Sequence, residues 1–217
     1  MAQGFGAFGK MPGLGDFFRV NLNGGFVEGW DAWLQSVILT ARGALADRWH
    51  ECYMSAPIWR FTLSPGLAGE SMMLGVLMAS VDRVGRQFPL TLAAPVQGNA
   101  VSAHLSATET FQTLEDIALD ALDDAMTRDG LASRLSQTDL PPVMPATTAA
   151  MVLLNGRPQW MPDVACTLGA LRRPSLWSAQ VDGSLRMIAF DGLPDARAVT
   201  GLFDTDAALW HSGVSHV

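Results

Sequence analysis

Three apolar runs follow one another too closely for a helix to fit between them. Residues 58–63 (IWRFTL), 72–80 (MMLGVLMAS) and 90–96 (LTLAAPV) are each strand-sized. The first ends at Ser64-Pro65-Gly66, a turn signal, and the third follows Phe88-Pro89. Parallel neighbours need a crossover of roughly a dozen residues or more, so these runs are expected to pair antiparallel through hairpins or short loops. The middle run is apolar throughout rather than alternating, as a strand buried on both faces would be.

The rest of the chain is read around that sheet. Phe5 and Phe8 among glycines predict a short strand over residues 5–10, then a tight turn through Met11-Pro12-Gly13. Phe26, Trp30, Trp33, Val37, Ala41 and Leu45 step by three or four, which predicts a long amphipathic helix over residues 26–52. Gly43 weakens its middle by about 1 kcal/mol against alanine, so a break is expected there. Ser106-Ala107-Thr108-Glu109 reads as a capping box before a second apolar stripe, Phe111, Leu114, Ile117, Ala118, Ala121, Leu122, Ala125 and Met126, with Gly130 as the stop. Residues 141–145 (PPVMP) read as a linker or extended edge, and 149–154 as a further strand. Residues 176–180 and 185–190 flank Asp182-Gly183, a hairpin signal, and a short helix is expected over 204–210. There is no internal repeat and no sign of a second unit, so residues 1–217 are read as one domain. The sum is a mixed or mainly antiparallel sheet covered by helices around one core.

Composition excludes several function classes. Of 217 residues, 49% are hydrophobic and 16% charged, which is not the composition of a disordered chain. Lys plus Arg is 14 against 21 Asp plus Glu, a net charge of −7, which argues against nucleic acid and anionic lipid as partners. Two cysteines far apart, Cys52 and Cys166, make neither a disulfide scaffold nor a cysteine-rich metal site and are expected to be buried small hydrophobes. No apolar stretch is long enough to span a bilayer and no secretory signal is read, so a cytoplasmic location is expected.

The chemistry-bearing patterns mostly fail their own requirements. Gly4, Gly6 and Gly9 spell G-x-G-x-x-G, but the strand that should precede them is missing, and Glu28 and Asp31 fall inside the expected helix. Gly4 to Lys10 also spells G-x-x-x-x-G-K, yet Met11 stands where a hydroxyl should ligate Mg²⁺. The preferred reading is that these glycines let a strand and turn pack closely beside aromatic residues. His50, His104, His211 and His216 lack zinc-helix spacing, so no metal site and no cofactor is expected. Asp116, Asp120 and Asp124, with Glu115 and Asp123, share a predicted helix face whose ordinary meaning is solvation. No G-x-S-x-G occurs, and no catalytic residue is assigned.

Two polar clusters stand out. Lys10, Asp16 and Arg19 surround the Gly13-Leu14-Gly15 turn, and Asp82, Arg83 and Arg86 lie in a loop between two apolar runs. One reading is an ion-pair network, with Asp16 on Arg83 or Arg86. The other is a partner-binding surface whose arginines grip a carboxylate or phosphate, since arginine makes bidentate contacts that lysine cannot. Arg86→Lys separates them: a binding surface loses affinity at nearly constant melting temperature, whereas a network loses stability.

These segments resemble a known family. Gly9-Lys10-Met11-Pro12-Gly13-Leu14-Gly15-Asp16-Phe17 resembles the G-K-x-P-x-x-G-D-F opening of the TagF (ImpM) family, proteins associated with the type VI secretion system of Gram-negative bacteria. Phe26-Val27-Glu28-Gly29-Trp30-Asp31-Ala32-Trp33-Leu34 is similar to its F-V-x-x-W-D-x-W-L, and Pro57-Ile58-Trp59-Arg60-Phe61 and Ser64-Pro65-Gly66 continue the likeness. Residues 75–90 resemble its G-V-x-x-x-S-x-D-x-x-G-R-x-F-P-L. Ser175-Leu176-Trp177 and Gly192-Leu193-Pro194 match more loosely, and Ser178 stands where a second tryptophan is expected. The resemblance implies an α/β fold, a three-layer α/β/α sandwich with a mixed, largely antiparallel central sheet. It also implies a non-enzymatic, post-translational regulator of secretion, typically a repressor, acting through a forkhead-associated (FHA) scaffold protein. The alternatives are a baseplate-associated structural component, and a nucleotide-binding enzyme using the loop from Gly4 to Lys10.

Overall fold

The three apolar runs are β3 (Trp59–Leu63), β4 (Met72–Met78) and β5 (Leu90–Val96), joined as an antiparallel meander. The computed structural model describes residues 4–143, 151–154, 157–160, 169–196 and 198–211. Ahead of the meander come β1 (Gly6–Gly9), β2 (Phe18–Val20), α1 (Gly24–Leu45) and α2 (Trp49–Met54). After it come α3 (Ala100–Ser106), α4 (Thr108–Asp120), α5 (Arg128–Ser136), β6 (Met151–Leu154), β7 (Arg157–Trp160), β8 (Pro174–Val181), β9 (Ser184–Asp191), α6 (Val199–Phe203) and α7 (Ala208–His211). Seven strands form one sheet in the order β2-β1-β5-β4-β3-β8-β9, while β6 and β7 pair separately. Every pairing among the described strands is antiparallel, so no parallel neighbour of the kind a mixed sheet contains is present among them.

The alternation of β4 shows why its sequence is apolar throughout. Met72, Leu74, Val76 and Met78 pack with Phe111, Leu114, Ile117 and Ala118 of α4 and with Leu131 and Leu135 of α5. Met73 and Leu77 point the other way, into a cluster with Phe26, Trp30, Leu34, Val37 and Ala41 of α1 and Val199, Leu202 and Phe203 of α6. Both faces of the sheet are therefore covered by helices, and a polar residue on either would be buried.

α1 is capped by Asn23, whose side chain accepts the Gly25 N–H at 2.8 Å, and it buries the expected stripe except at Trp33, which is only partly buried while the neighbouring Leu34 is fully buried. It runs unbroken through Gly43. The chain breaks instead at Ala46, where φ is 47°, and resumes through the 3₁₀ turn Ala46–Arg48 into α2. The hairpin turn lies where the sequence puts it, with Asp182 and Gly183 at φ 50° and 74°, as a type I′ turn requires. Three expectations are corrected. Ser106 does not cap α4: it ends α3, its hydroxyl donates to the Ser102 carbonyl, and α4 starts at Thr108 with Ala107 in the capping position and no side-chain cap. Gly130 does not stop a helix but lies inside α5, donating its N–H to Thr127 Oγ1 at 3.0 Å. α4 ends at Asp120, so Asp124 is not on its acidic face, and Glu115 is spent on Arg60 rather than on solvent. Cys166, His216 and residues 144–150 lie outside the described residues.

Candidate functional site

Two loops that are 72 positions apart meet at one buried carboxylate. β1 ends at Gly9, whose backbone (φ 131°) passes so close to β5 that a Cβ there would lie 2.1 Å from the Pro89 carbonyl oxygen. Only glycine fits, and this approach carries Lys10 inward. The Lys10 ammonium donates to Asp82 Oδ2 at 2.9 Å, and Arg86 Nε donates to the same oxygen at 2.6 Å. The other carboxylate oxygen accepts the backbone N–H groups of Val84 at 3.1 Å and Arg86 at 2.9 Å. Asp82 is 2% exposed and Lys10 5%. Burial alone would raise the Asp82 pKa; the Lys10 ammonium, the Arg86 guanidinium and the two backbone N–H groups outweigh it and hold the carboxyl well below the usual carboxylate range.

The arginines tie the turn to the loop. Arg86 Nη2 donates to the Gly15 carbonyl at 2.7 Å, Arg83 Nη2 to the Gly13 carbonyl at 2.5 Å, and the Arg83 backbone N–H to the Leu14 carbonyl at 2.9 Å. Both side chains stay exposed. Among the described residues, Arg83 Nε and Nη1 and Arg86 Nη1 have no partner. Aromatic rings continue the junction: Phe17 lies edge-on to Phe88 at 4.7 Å, Phe88 edge-on to Phe8 at 5.9 Å, and Lys10 Nζ sits 4.8 Å from the Phe17 ring centre. Gln87 is held from the far side by Trp49 Nε1 at 2.7 Å and lies 3.2 Å from His50 Nδ1.

Of the six candidate residues, the structure joins four: Lys10, Asp82, Arg83 and Arg86. The expected Asp16–arginine pair does not form. Asp16 turns its carboxylate onto the Phe17 N–H at 2.8 Å, because Asp82 already sits between the cations. Arg19 is on the edge strand β2 opposite Phe8, outside the network, its carbonyl accepting from Arg128 Nη2 at 2.9 Å. Sequence reasoning missed the Gly13 and Gly15 carbonyls, which as backbone acceptors carry no residue signal, and the Phe17–Phe88 contact. Lys10→Met is expected to lower stability by about 3 kcal/mol, at the low end for breaking a buried pair because Arg86 and two N–H groups still hold Asp82. Urea denaturation checks it.

The other candidate chemistries do not assemble. Gly6 to Gly9 is a strand paired on both sides, by β2 and β5, and Lys10 is spent on Asp82, so this segment has no free backbone cradle for a phosphate. No group of metal-ligating side chains occurs among the described residues, and no described helix is long and apolar enough to cross a membrane. Cys52 is buried, which raises its thiol pKa.

A second polar cluster lies on the α4 side of the sheet. Arg60 pairs with Glu115 through two bonds of 2.6 and 2.7 Å. His104 Nδ1 lies 3.0 Å from Thr62 Oγ1 and its Nε2 lies 2.9 Å from Ser178 Oγ. Burial and the nearby Arg60 push the His104 pKa down to about 3. All three members of this Thr–His–Ser row are buried, so they serve as a structural bridge from α3 to β3 and β8.

Residues 6–138 match the family model for the TagF N-terminal domain, described as type VI secretion system-associated. No curated protein matches the chain. The crystal structure of PA0076 from Pseudomonas aeruginosa PAO1 is similar at 31% identity and a TM-score of 0.76, covering 94% of this chain and 95% of that one. The matched residues include both loops of the Lys10–Asp82–Arg86 junction and more than half of the chain, which belongs to the TagF family of type VI secretion system-associated proteins.

Proposed function

We propose that this chain is a non-enzymatic regulator of type VI secretion, a repressor that works in the cytoplasm by binding the system's FHA-domain scaffold protein. Its two helical faces are read as the outer layers of a three-layer α/β/α sandwich, with residues 1–217 acting as one domain. The observation that carries the binding role is the junction itself. A buried carboxylate pins the glycine turn to the 82–86 loop, and two guanidiniums are left exposed with unspent donors. A fixed pair of guanidiniums suits a carboxylate or a phosphate on a partner.

Calorimetric titration with the scaffold protein of the same system, phosphorylated and unphosphorylated, tests this. Micromolar or tighter binding is expected, and no binding to either form overturns the scaffold role. Arg83→Ala is expected to weaken that binding about tenfold, with a melting temperature within about 2 °C of wild type. Arg86→Lys is expected to lower affinity and stability together, because its guanidinium also holds Asp82 and Gly15. ATP or GTP with Mg²⁺ is expected to leave the melting temperature unchanged; a clear rise would favour the nucleotide-binding alternative.

A further inference from the structure

Ala46, the joint between α1 and α2, is held in a backbone conformation that alanine avoids. Its φ is 47° and its ψ −119°, a region populated almost only by glycine. The other non-glycine residues at positive φ among the described residues are Asn21 and Asp182, whose short polar side chains tolerate it. The Ala46 side chain is exposed, so no packing contact offsets the strain. The joint keeps its shape because both of its sides are fastened. Leu45 ends the buried stripe of α1, Trp49 opens α2, and both sit in one core cluster. The Trp49 N–H also donates back to the Ala46 carbonyl.

The element hung from this joint grips the loop that carries the arginines. Tyr53 of α2 is fully buried; its hydroxyl donates to the Ser80 carbonyl at 2.8 Å and accepts the Ser80 N–H at 3.1 Å. Trp49 Nε1 donates to Gln87 at the other stem. α2 thus fastens both stems of the 80–87 loop, while the glycine turn fastens its tip through Arg83 and Arg86. On its far side α2 meets α6: the Trp49 and Tyr53 rings lie 5.1 and 5.8 Å from Phe203, and the exposed Arg48 pairs with Asp204 at 2.9 Å. The grip cannot open without the loop. Ser80 is 2% exposed, and a buried N–H that loses its acceptor has to reach water, so the stems part when α2 leaves.

We propose that residues 46–54 are a strained clasp, which opens as a unit about Ala46 without global unfolding and releases the 80–87 loop, and with it the fixed setting of Arg83 and Arg86. The strain is present only while the clasp is shut and is lost when it opens, so the shut state is poised rather than locked. A partner that binds the arginines in their fixed setting holds the clasp shut by its differential affinity, and loss of the Arg48–Asp204 pair favours opening. This regulatory consequence rests on the partner-binding reading of the junction; the opening itself does not.

Amide hydrogen exchange, resolved by residue on the full chain without a partner, tests it. In the wild type the amides of Tyr53, Ser80 and Arg86 are expected to exchange through one common opening, at least about tenfold faster than those of Leu74 and Val76 at the centre of β4. Ala46→Gly removes the strain from the shut state, so it is expected to slow the first three together by about fivefold, the relief being partly offset by the extra freedom of glycine in the open state. Arg48→Ala, which loses only an exposed pair, is expected to speed the same three together by about threefold. Exchange of Tyr53, Ser80 and Arg86 at the rate of Leu74 and Val76 in the wild type overturns the clasp, because α2 then opens only with the whole fold. Ala46→Gly that slows Leu74 and Val76 but leaves Tyr53 unchanged overturns it too, because the joint is then not the hinge. Slowing of Tyr53 alone, with Ser80 and Arg86 unchanged, overturns the coupling to the loop. Failure to bind the FHA-domain scaffold removes the regulatory consequence and leaves these exchange rates, and the clasp, as they are.

Discussion

Trp30→Ala is expected to cost about 5 kcal/mol, at the upper end for emptying a core aromatic site, and to lower the melting temperature by roughly 15 °C. Trp30 is fully buried where α1 crosses the sheet. Its ring lies 4.6 Å from Trp33, 4.9 Å from Phe61 of β3, 5.7 Å from Phe26 and 6.1 Å from Trp177 of β8. Its Nε1–H also donates to Thr91 Oγ1 of β5 at 2.9 Å, so alanine leaves both a cavity and a buried hydroxyl without that partner. The surrounding rings belong to a helix and two strands, which limits how far they can collapse into the gap. Denaturant unfolding followed by circular dichroism measures the loss without relying on tryptophan emission. A loss below about 2 kcal/mol would mean that the site closes after all. Trp30→Phe keeps most of the ring volume and is expected to cost clearly less.

The second large effect is acid sensitivity centred on His104. Its folded-state pKa of about 3 is depressed, chiefly by burial and then by Arg60, against about 6.5 in an unfolded chain. The unfolded chain therefore takes up the proton first as pH falls. The contribution to stability is complete above about pH 6.5 and is lost at up to about 1.4 kcal/mol per pH unit down to about pH 3. By pH 4.5 the loss reaches roughly 3 kcal/mol. Asp82 acts in a lower window: its depressed pKa stabilises the fold above about pH 4 and fails only below that. Unfolding free energies measured from pH 8 to pH 4 are expected to slope downward in the wild type and to flatten in His104→Gln. An equal slope in both would remove His104 as the cause.

The meander was readable because β3, β4 and β5 are apolar with no room for crossovers, and α1 because its stripe is long and aromatic. α3 was invisible because its buried positions, Ala100, Ala103 and His104, make no hydrophobic stripe; its one signal is the Asn99 cap, which accepts N–H groups from Val101 and Ser102. α5 was hidden by Gly130, and β2 by its length of three residues. At the site, the charged residues were visible as a group because so many charges lie beside apolar strands. Their pairing was not. Asp16 is the nearest acid to Lys10 in sequence, but the choice of Asp82 depends on how closely Gly9 lies against Pro89, a tertiary fact.

The pairing of β3 with β8 has a consequence for synthesis. Arg60 waits for Ser178, and Phe61 for Trp177, more than a hundred residues downstream. Until the ribosome has delivered that strand, the edge of β3 has open hydrogen-bonding groups and a row of bare aromatic surface. At about 5–20 residues per second that interval lasts several seconds. During it the nascent chain is a template for the wrong strand, and its yield in the cell depends on what shields β3 while it waits.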